Sequence, residues 1–328
     1  MKNTAQTVNC QVIVPNYLAG RRLDQILSTL LVTYSRSRLQ NWIRSQQISV
    51  DQQFKRPRDK IKAGAVITIK AIIPEASKWE AQSLPLDIIY EDEALLVVNK
   101  PSGVVVHPAV GNPDKTLVNA LLHHLPQLKQ LPRAGIIHRL DKYTTGLLVI
   151  PKTLDAHTQL VKQLQARDIQ RNYYAIVRGT LLSGGTINAP IGRHPKLRRK
   201  MAINGVRSKP AVSHYRVIER FQYHTLLWIQ LETGRTHQIR VHMAHIYHPI
   251  VGDKIYKGRL QSCHQTSKSL INHPDHFQRQ ALHATRLQLT HPTTQQAVAW
   301  SIPLPTDMQT LICCLREKEQ HNVRSARS

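Results

Sequence analysis

Apolar and polar positions along this chain follow two different rhythms, and the change falls near residue 86. From Gly20 onward apolar residues recur at Leu23, Ile26, Leu27, Leu30 and Leu31, the spacing of a helix with one buried stripe. Ser35 stands as the N-cap of a second helix that turns Leu39, Trp42 and Ile43 inward and leaves Arg36, Arg38 and Arg44 on its other faces. Short strands are predicted over 48–50 and 66–69, separated by a loop carrying Lys55, Arg56, Arg58, Lys60 and Lys62. Residues 74–85 are polar and irregular and read as a linker.

Beyond residue 86 the pattern changes to short apolar runs punctuated by turns. Strands are predicted over 87–90, 94–98, 171–177, 226–231, 281–284 and 298–302. Helices are predicted from a Thr116 cap through Leu122 to the Pro126 stop, over 154–166, over 237–245, and at the end through Met308, Leu311, Ile312 and Leu315. Strands and helices neither alternate strictly nor repeat, and short turns join adjacent strands. That combination predicts an α+β fold with a mixed, largely antiparallel sheet and flanking helices. The expected organisation is a small N-terminal domain over 1–73, a linker over 74–85 and a larger domain over 86–328.

Within the larger domain one stretch breaks the rules for apolar runs. His138, Arg139 and Asp141 sit between Ile136-Ile137 and the run Leu147 to Ile150, with Gly146 closing a polar turn. Polar side chains enter a core as a paired set or stay out. Asp141 is therefore either a salt-bridged, structurally pinned carboxylate or a reactive one. A protein-kinase catalytic loop is excluded, because Leu140 separates Arg139 from Asp141 and no glycine-rich phosphate loop or Asp-Phe-Gly follows.

Charge decides the class of partner. The chain carries 45 Lys and Arg against 20 Asp and Glu, a net charge of +25, and its 41% hydrophobic content is that of a globular protein. So large an excess favours a polyanion as partner, and nucleic acid is the expected one. Thirteen Lys and Arg against five Asp and Glu in residues 1–80 suit a phosphate track. Arg193, Lys196, Arg198, Arg199, Lys200, Arg207 and Lys209 form a second basic segment, expected to be an unstructured loop that RNA phosphate orders. Residues 257–279 are polar and irregular, an expected insertion. No run of 18 apolar residues is present and Met1 to Cys10 lacks an apolar core, so neither a membrane span nor secretion is expected. Cys10, Cys263, Cys313 and Cys314 show no Cys-x-x-Cys spacing, and the histidines at 237, 242, 245 and 248 lack the His-Glu-x-x-His form. No metal is expected, and with neither Gly-x-Gly-x-x-Gly nor a Walker loop, no nucleotide cofactor.

Several blocks, taken in order, resemble a known family. Residues 135–146, Arg171-Asn172-Tyr173, residues 231–243 and Ala281-Leu282-His283-Ala284 are similar to the signature blocks of RluA-type pseudouridine synthases. The first eighty residues resemble the alpha-L RNA-binding motif of bacterial ribosomal small-subunit proteins, through Gly20-Arg21-Arg22-Leu23-Asp24 and Tyr34-Ser35-Arg36-Ser37-Arg38. Asp51-Gln52-Gln53 stands where relatives of that motif turn on Asn-Gly. The resemblance implies an enzyme that isomerises uridine in ribosomal RNA of the large subunit, needs no cofactor, works in the cytoplasm and acts as a monomer. It implies Asp141 as nucleophile, Arg240 as the cation that keeps it ionised, and Tyr173 as the aromatic against the uracil. Leu282 would form the apolar wall, and His138 and Arg139 would displace the flipped base, while Arg199, Lys200 and Arg235 are expected to contact the RNA. The alternative is a non-catalytic RNA-binding or ribosome-assembly protein on the same fold.

Overall fold

A computed structural model of the chain describes residues 6–31, 34, 36–73, 79–109, 111–197, 200–257 and 277–325. They belong to two compact units, Met1–Lys78 and Trp79–Ser328. Among the described residues no helix is long and apolar enough to cross a membrane.

In the first unit, strand β1 (Gln6–Ile13) precedes helices α1 (Leu23–Leu30) and α2 (Arg36–Arg44), and strands β2 (Ile48–Val50) and β3 (Val66–Ile73) follow. The expected helical stripes are the buried faces: Leu23, Ile26, Leu27, Leu39, Trp42 and Ile43 pack in one core with the sheet. Ser35, read as the cap of α2, lies outside the described residues. Strand β1 pairs antiparallel along the whole of β3, giving the order β1-β3-β2. It is an addition to the sequence reading, as is the extension of β3 beyond Ile69. Asp24 is fully buried between the helices and accepts hydrogen bonds from Arg22 (3.0 Å), Arg36 (2.9 Å) and Gln40 (2.7 Å). A charge is tolerated in so small a core because its lone pairs are taken up.

The turn after β2 closes tightly without glycine. Val50 and Gln53 exchange backbone hydrogen bonds at 2.8 and 2.9 Å, and Asp51 and Gln52 both adopt positive φ, 47° and 65°. The Asp51 carboxylate accepts the Val66 N–H at 2.9 Å, which stabilises the first of these.

The second unit runs β4 (Ile88–Glu91), β5 (Leu95–Lys100), α3 (Leu117–His124), β6 (Thr145–Pro151), α4 (Leu154–Ala166), β7 (Gln170–Arg178), β8 (Gly185–Asn188), β9 (Ile191–Arg193), β10 (Met201–Ile203), β11 (Val206–Lys209), β12 (Val212–Phe221), β13 (His224–Leu231), α5 (Gln238–His245), β14 (Leu282–Thr290), β15 (Ala297–Ser301) and α6 (Thr306–Ser325). The main sheet has the order β4-β5-β6-β14-β7-β13-β12-β8, with β15 added to β14. The pair β6 and β14 is parallel and every other pair is antiparallel. This is the mixed, largely antiparallel α+β sheet that the short turns predict.

The runs Leu95 to Val98 of β5 and Leu147 to Ile150 of β6 are apolar because both faces are covered. Leu96, Val98, Leu148 and Ile150 pack with Leu117, Val118 and Leu121 of α3, while Leu95, Val97, Leu147 and Val149 pack with Ala156 and Leu160 of α4. Thr153 caps α4 by accepting the Ala156 N–H, and Arg167 ends it in the left-handed region. Residues 79–85, counted in the linker by sequence, pack on this unit: Gln82 and Glu80 bond to Lys115 and Asn119.

The basic segment 193–209 corrects its expectation. It is a folded three-stranded sheet, β10-β9-β11, whose Met201 and Ile203 pack on Ile191, Ala211 and Val241. Two apolar residues anchor it, outweighed in composition by its charges. Arg198 and Arg199, and 258–276 of the expected insertion, lie outside the described residues.

The tight turn gives a test. Gln52 is exposed and left-handed, a conformation that costs a side chain about 1 kcal/mol relative to glycine. Gln52→Gly should raise the stability of the N-terminal unit by up to about 1 kcal/mol in urea unfolding.

Candidate active site

The site is built where β6 and β14 come closest. At Gly146, φ +115°, an added Cβ would lie 2.2 Å from the Ala284 carbonyl oxygen, so a side chain would force the two parallel strands apart. The loop leading into β6 is fixed on both sides of Asp141. Its Lys142 carbonyl accepts Gly103 N–H at 2.9 Å and Lys100 Nζ at 3.1 Å, and its Thr144 hydroxyl accepts Gln280 Nε2 at 3.0 Å. Lys100 is fully buried and donates also to the carbonyls of Pro101 and Val104. Burial pushes its pKa down to about 7, against the opposing charge of Asp141.

Helix α5 supplies the partner of that loop. Its first turn is set by Gln238, which accepts from Thr233 Oγ1 (2.8 Å) and Arg235 N–H (2.9 Å) and donates to the Val212 carbonyl of β12 (2.9 Å). The run Thr233 to Gln238 is thus a closed turn tied to the sheet, and it aims Arg240 inward. Arg240 is 5% exposed and shared between two carboxylates. Its Nη1 donates to Asp141 Oδ2 at 2.8 Å, while Nε and Nη2 donate to Asp253 Oδ2 and Oδ1 at 2.6 and 3.0 Å. Asp253 Oδ1 also accepts the N–H groups of Ile255 and Tyr256. Burial alone would lower the pKa of Arg240, but the hydrogen bond to Asp253 and the charges of Asp141 and Asp253 outweigh it and raise it. Burial likewise opposes ionisation of Asp253, and the bond from Arg240 leads the effects that hold its pKa below the ordinary value.

Opposite Arg240, the other Asp141 oxygen, Oδ1, lies 3.9 Å from His237 Nε2. His237 heads α5 in the left-handed region (φ 58°), and its Nδ1 is 2.8 Å from the Tyr256 hydroxyl, which accepts the Met201 N–H. Burial pushes the His237 pKa down, so a neutral imidazole faces the carboxylate.

These groups line a cavity of about 980 Å³. Seven of the residues singled out by sequence meet there: Asp141, Tyr173, Arg240, His138, Arg139, Leu282 and Arg235. Tyr173 projects from β7 and is 6% exposed, and burial pushes its phenol pKa up. Leu282 opens β14 beside it. His138 is brought to the wall with its Nε2 engaged, 3.1 Å from the Val149 N–H that it accepts, and burial lowers its pKa to about 3. Arg139 is exposed. Lys200 stands apart, between β9 and β10, and does not line the cavity. Arg199 lies outside the described residues. Among the described residues no group of three His, Cys, Asp or Glu is arranged to hold a metal ion.

Sequence reasoning passed over Asp253, His237, Tyr256 and Arg171. For Asp253 a signal existed in Ile250-Val251-Gly252-Asp253, an apolar pair, a turn glycine and a carboxylate, the arrangement that drew notice to Asp141. Removing one partner of a buried pair costs about 3–5 kcal/mol, whereas an exposed pair is worth about 1 kcal/mol or less. Asp253→Ala should therefore lower stability in urea by about 3–5 kcal/mol, and Arg316→Ala, which breaks the exposed pair with Glu219, by no more than about 1 kcal/mol.

Residues 94–245 match the family model described as RNA pseudouridylate synthase, and residues 21–67 match the S4 domain. The chain is 52% identical to "Ribosomal large subunit pseudouridine synthase D" of Pseudomonas aeruginosa over 94% of its own length and 96% of the relative's. It is 48% identical to the protein of that name from Escherichia coli K12 over 97% of its length and 98% of the relative's. Among solved structures, "Human RNA Pseudouridylate Synthase Domain Containing 1" covers 72% of this chain and 96% of that one at 26% identity and a TM-score of 0.52. With near-complete coverage by relatives at about half identity, and the motif residues gathered around one cavity, the chain belongs to the RNA pseudouridylate synthase family.

Proposed function

We propose that this protein converts uridine to pseudouridine in large-subunit ribosomal RNA, with Asp141 as the nucleophile. The observation that carries the reading is a carboxylate at a cavity wall with one oxygen tied to Arg240 and the other 3.9 Å from the His237 imidazole, in the cavity lined by Tyr173 and Leu282. The names and high identity of the relatives support the substrate class.

The reaction breaks the bond between uracil N1 and the sugar C1′, turns the base, and joins C5 to C1′. The C5 proton leaves and N1 gains one, so the change is an isomerisation. Attack by the carboxylate on either the sugar or the base requires it ionised, and the Arg240 guanidinium donates to one of its oxygens at 2.8 Å. Tyr173 keeps its proton under burial and offers an aromatic face and a hydroxyl to the base. The base must leave its stack, at a cost of a few kcal/mol that is smaller in a loop, which favours a stem-loop substrate. Exposed Arg139 is suited to fill the vacated space; His138, held by Val149, braces the loop. Arg235, Lys200, Arg199 and the S4 domain are assigned to the RNA outside the reacting nucleotide. A ribosomal RNA substrate puts the work in the cytoplasm.

Tritium release from RNA labelled at uracil C5 tests this. Wild-type protein should release tritium from large-subunit RNA equally with and without chelator, and Asp141→Ala should be slower by more than about a thousandfold. RNA binding without release by wild type would support the non-catalytic alternative, and loss of release with chelator would point to a metal.

A further inference from the structure

Arg171 is buried in the cavity wall without a counter-ion. It is 8% exposed, and the ion pairs among the described residues do not include it. Its Nε has no hydrogen-bond partner, and its Nη2 reaches the Glu232 carbonyl at 3.4 Å. The Glu232 carboxylate is turned away to Arg167 and His214, at 2.8 and 2.7 Å. Arg240, the other buried arginine of the wall, holds two carboxylates.

A buried, unpaired guanidinium is costly. At Gly234 an added Cβ would stand 2.6 Å from Arg171 Nη1, so glycine there leaves room for the guanidinium. Burial lowers the pKa of Arg171, and no carboxylate offsets that effect.

We infer that Arg171 receives a backbone phosphodiester of bound RNA, the one belonging to the nucleotide whose base lies against Tyr173. Arg171 and Tyr173 are two residues apart on β7, so both face the cavity, about 6.6 Å apart along the strand. That separation suits the base and phosphate of one nucleotide. A uracil carbonyl is neutral and would leave the buried charge uncompensated. A phosphodiester carries a full charge and can take two N–H groups from one guanidinium. The inference rests on the RNA-modifying reading for the identity of the ligand.

The experiment measures binding of a large-subunit RNA stem-loop, with each phosphate in turn replaced by a neutral methylphosphonate, to wild type and Arg171→Gln across a salt series. Arg171→Gln should bind the unmodified RNA about tenfold more weakly and lower the log–log salt slope by about one. One methylphosphonate, at the modified uridine, should weaken wild-type binding about tenfold and leave Arg171→Gln unaffected. Wild-type affinity and slope in Arg171→Gln would overturn the inference. So would the absence of such a position in the wild-type scan, which decides the matter even if the variant fails to fold. Binding is read without turnover, so failure here is separable from failure of tritium release by wild type.

Discussion

The guanidinium of Arg240 is the group on which the arrangement of charged side chains around the cavity depends. One cation holds two carboxylates that come from separate segments of the chain, Asp141 ahead of β6 and Asp253 after α5. Alone, either carboxylate would be an unpaired charge at a largely buried place, and Arg240 would be a buried cation. The grouping also divides labour. Asp253 takes two of the three donated N–H bonds and is itself fully buried, which fixes the guanidinium plane. Asp141 takes the third and keeps its other oxygen at the cavity. Clamped by two bonds to Asp253, the guanidinium presents a single N–H to Asp141.

The sheet exists in the form needed to hold that arrangement. Apolar residues on both faces of β5 and β6 make the strand beneath Asp141 rigid, and Gly146 lets β14 approach it. Tyr173 on β7 and Leu282 on β14 then stand beside the carboxylate because their strands are neighbours in this sheet, although they lie far apart in sequence. The loop that carries Asp141 is held through its backbone, by Lys100, Gly103 and Gln280, so its side chain is left for the cavity.

How much of this was legible in the sequence depends on whether the determining interaction was local. Helix α4 was legible to the residue, because Thr153 caps it and the pattern inside it is helical. The two N-terminal helices were legible from their stripes. The stretch around Asp141 was conspicuous because charge between apolar runs requires partners, and Arg240 came from a motif. Asp253 was not legible, since its significance arises from a guanidinium thirteen residues away that already had one acid assigned to it. Strands β1 and β12 were missed because polar residues occupy many of their positions; β1 also pairs with β3, distant in sequence, whereas β12 forms a hairpin with β13. The small sheet in 193–209 was hidden by its charge, and the loneliness of Arg171 is a property of its surroundings that no sequence window contains.

The most direct measurement maps pseudouridine across large-subunit ribosomal RNA in cells whose chromosomal copy carries Asp141→Asn, against cells with the wild-type copy. The account predicts that one or more uridines modified in wild type remain uridine in the variant, while the protein accumulates and still binds the RNA. An unchanged map would contradict it.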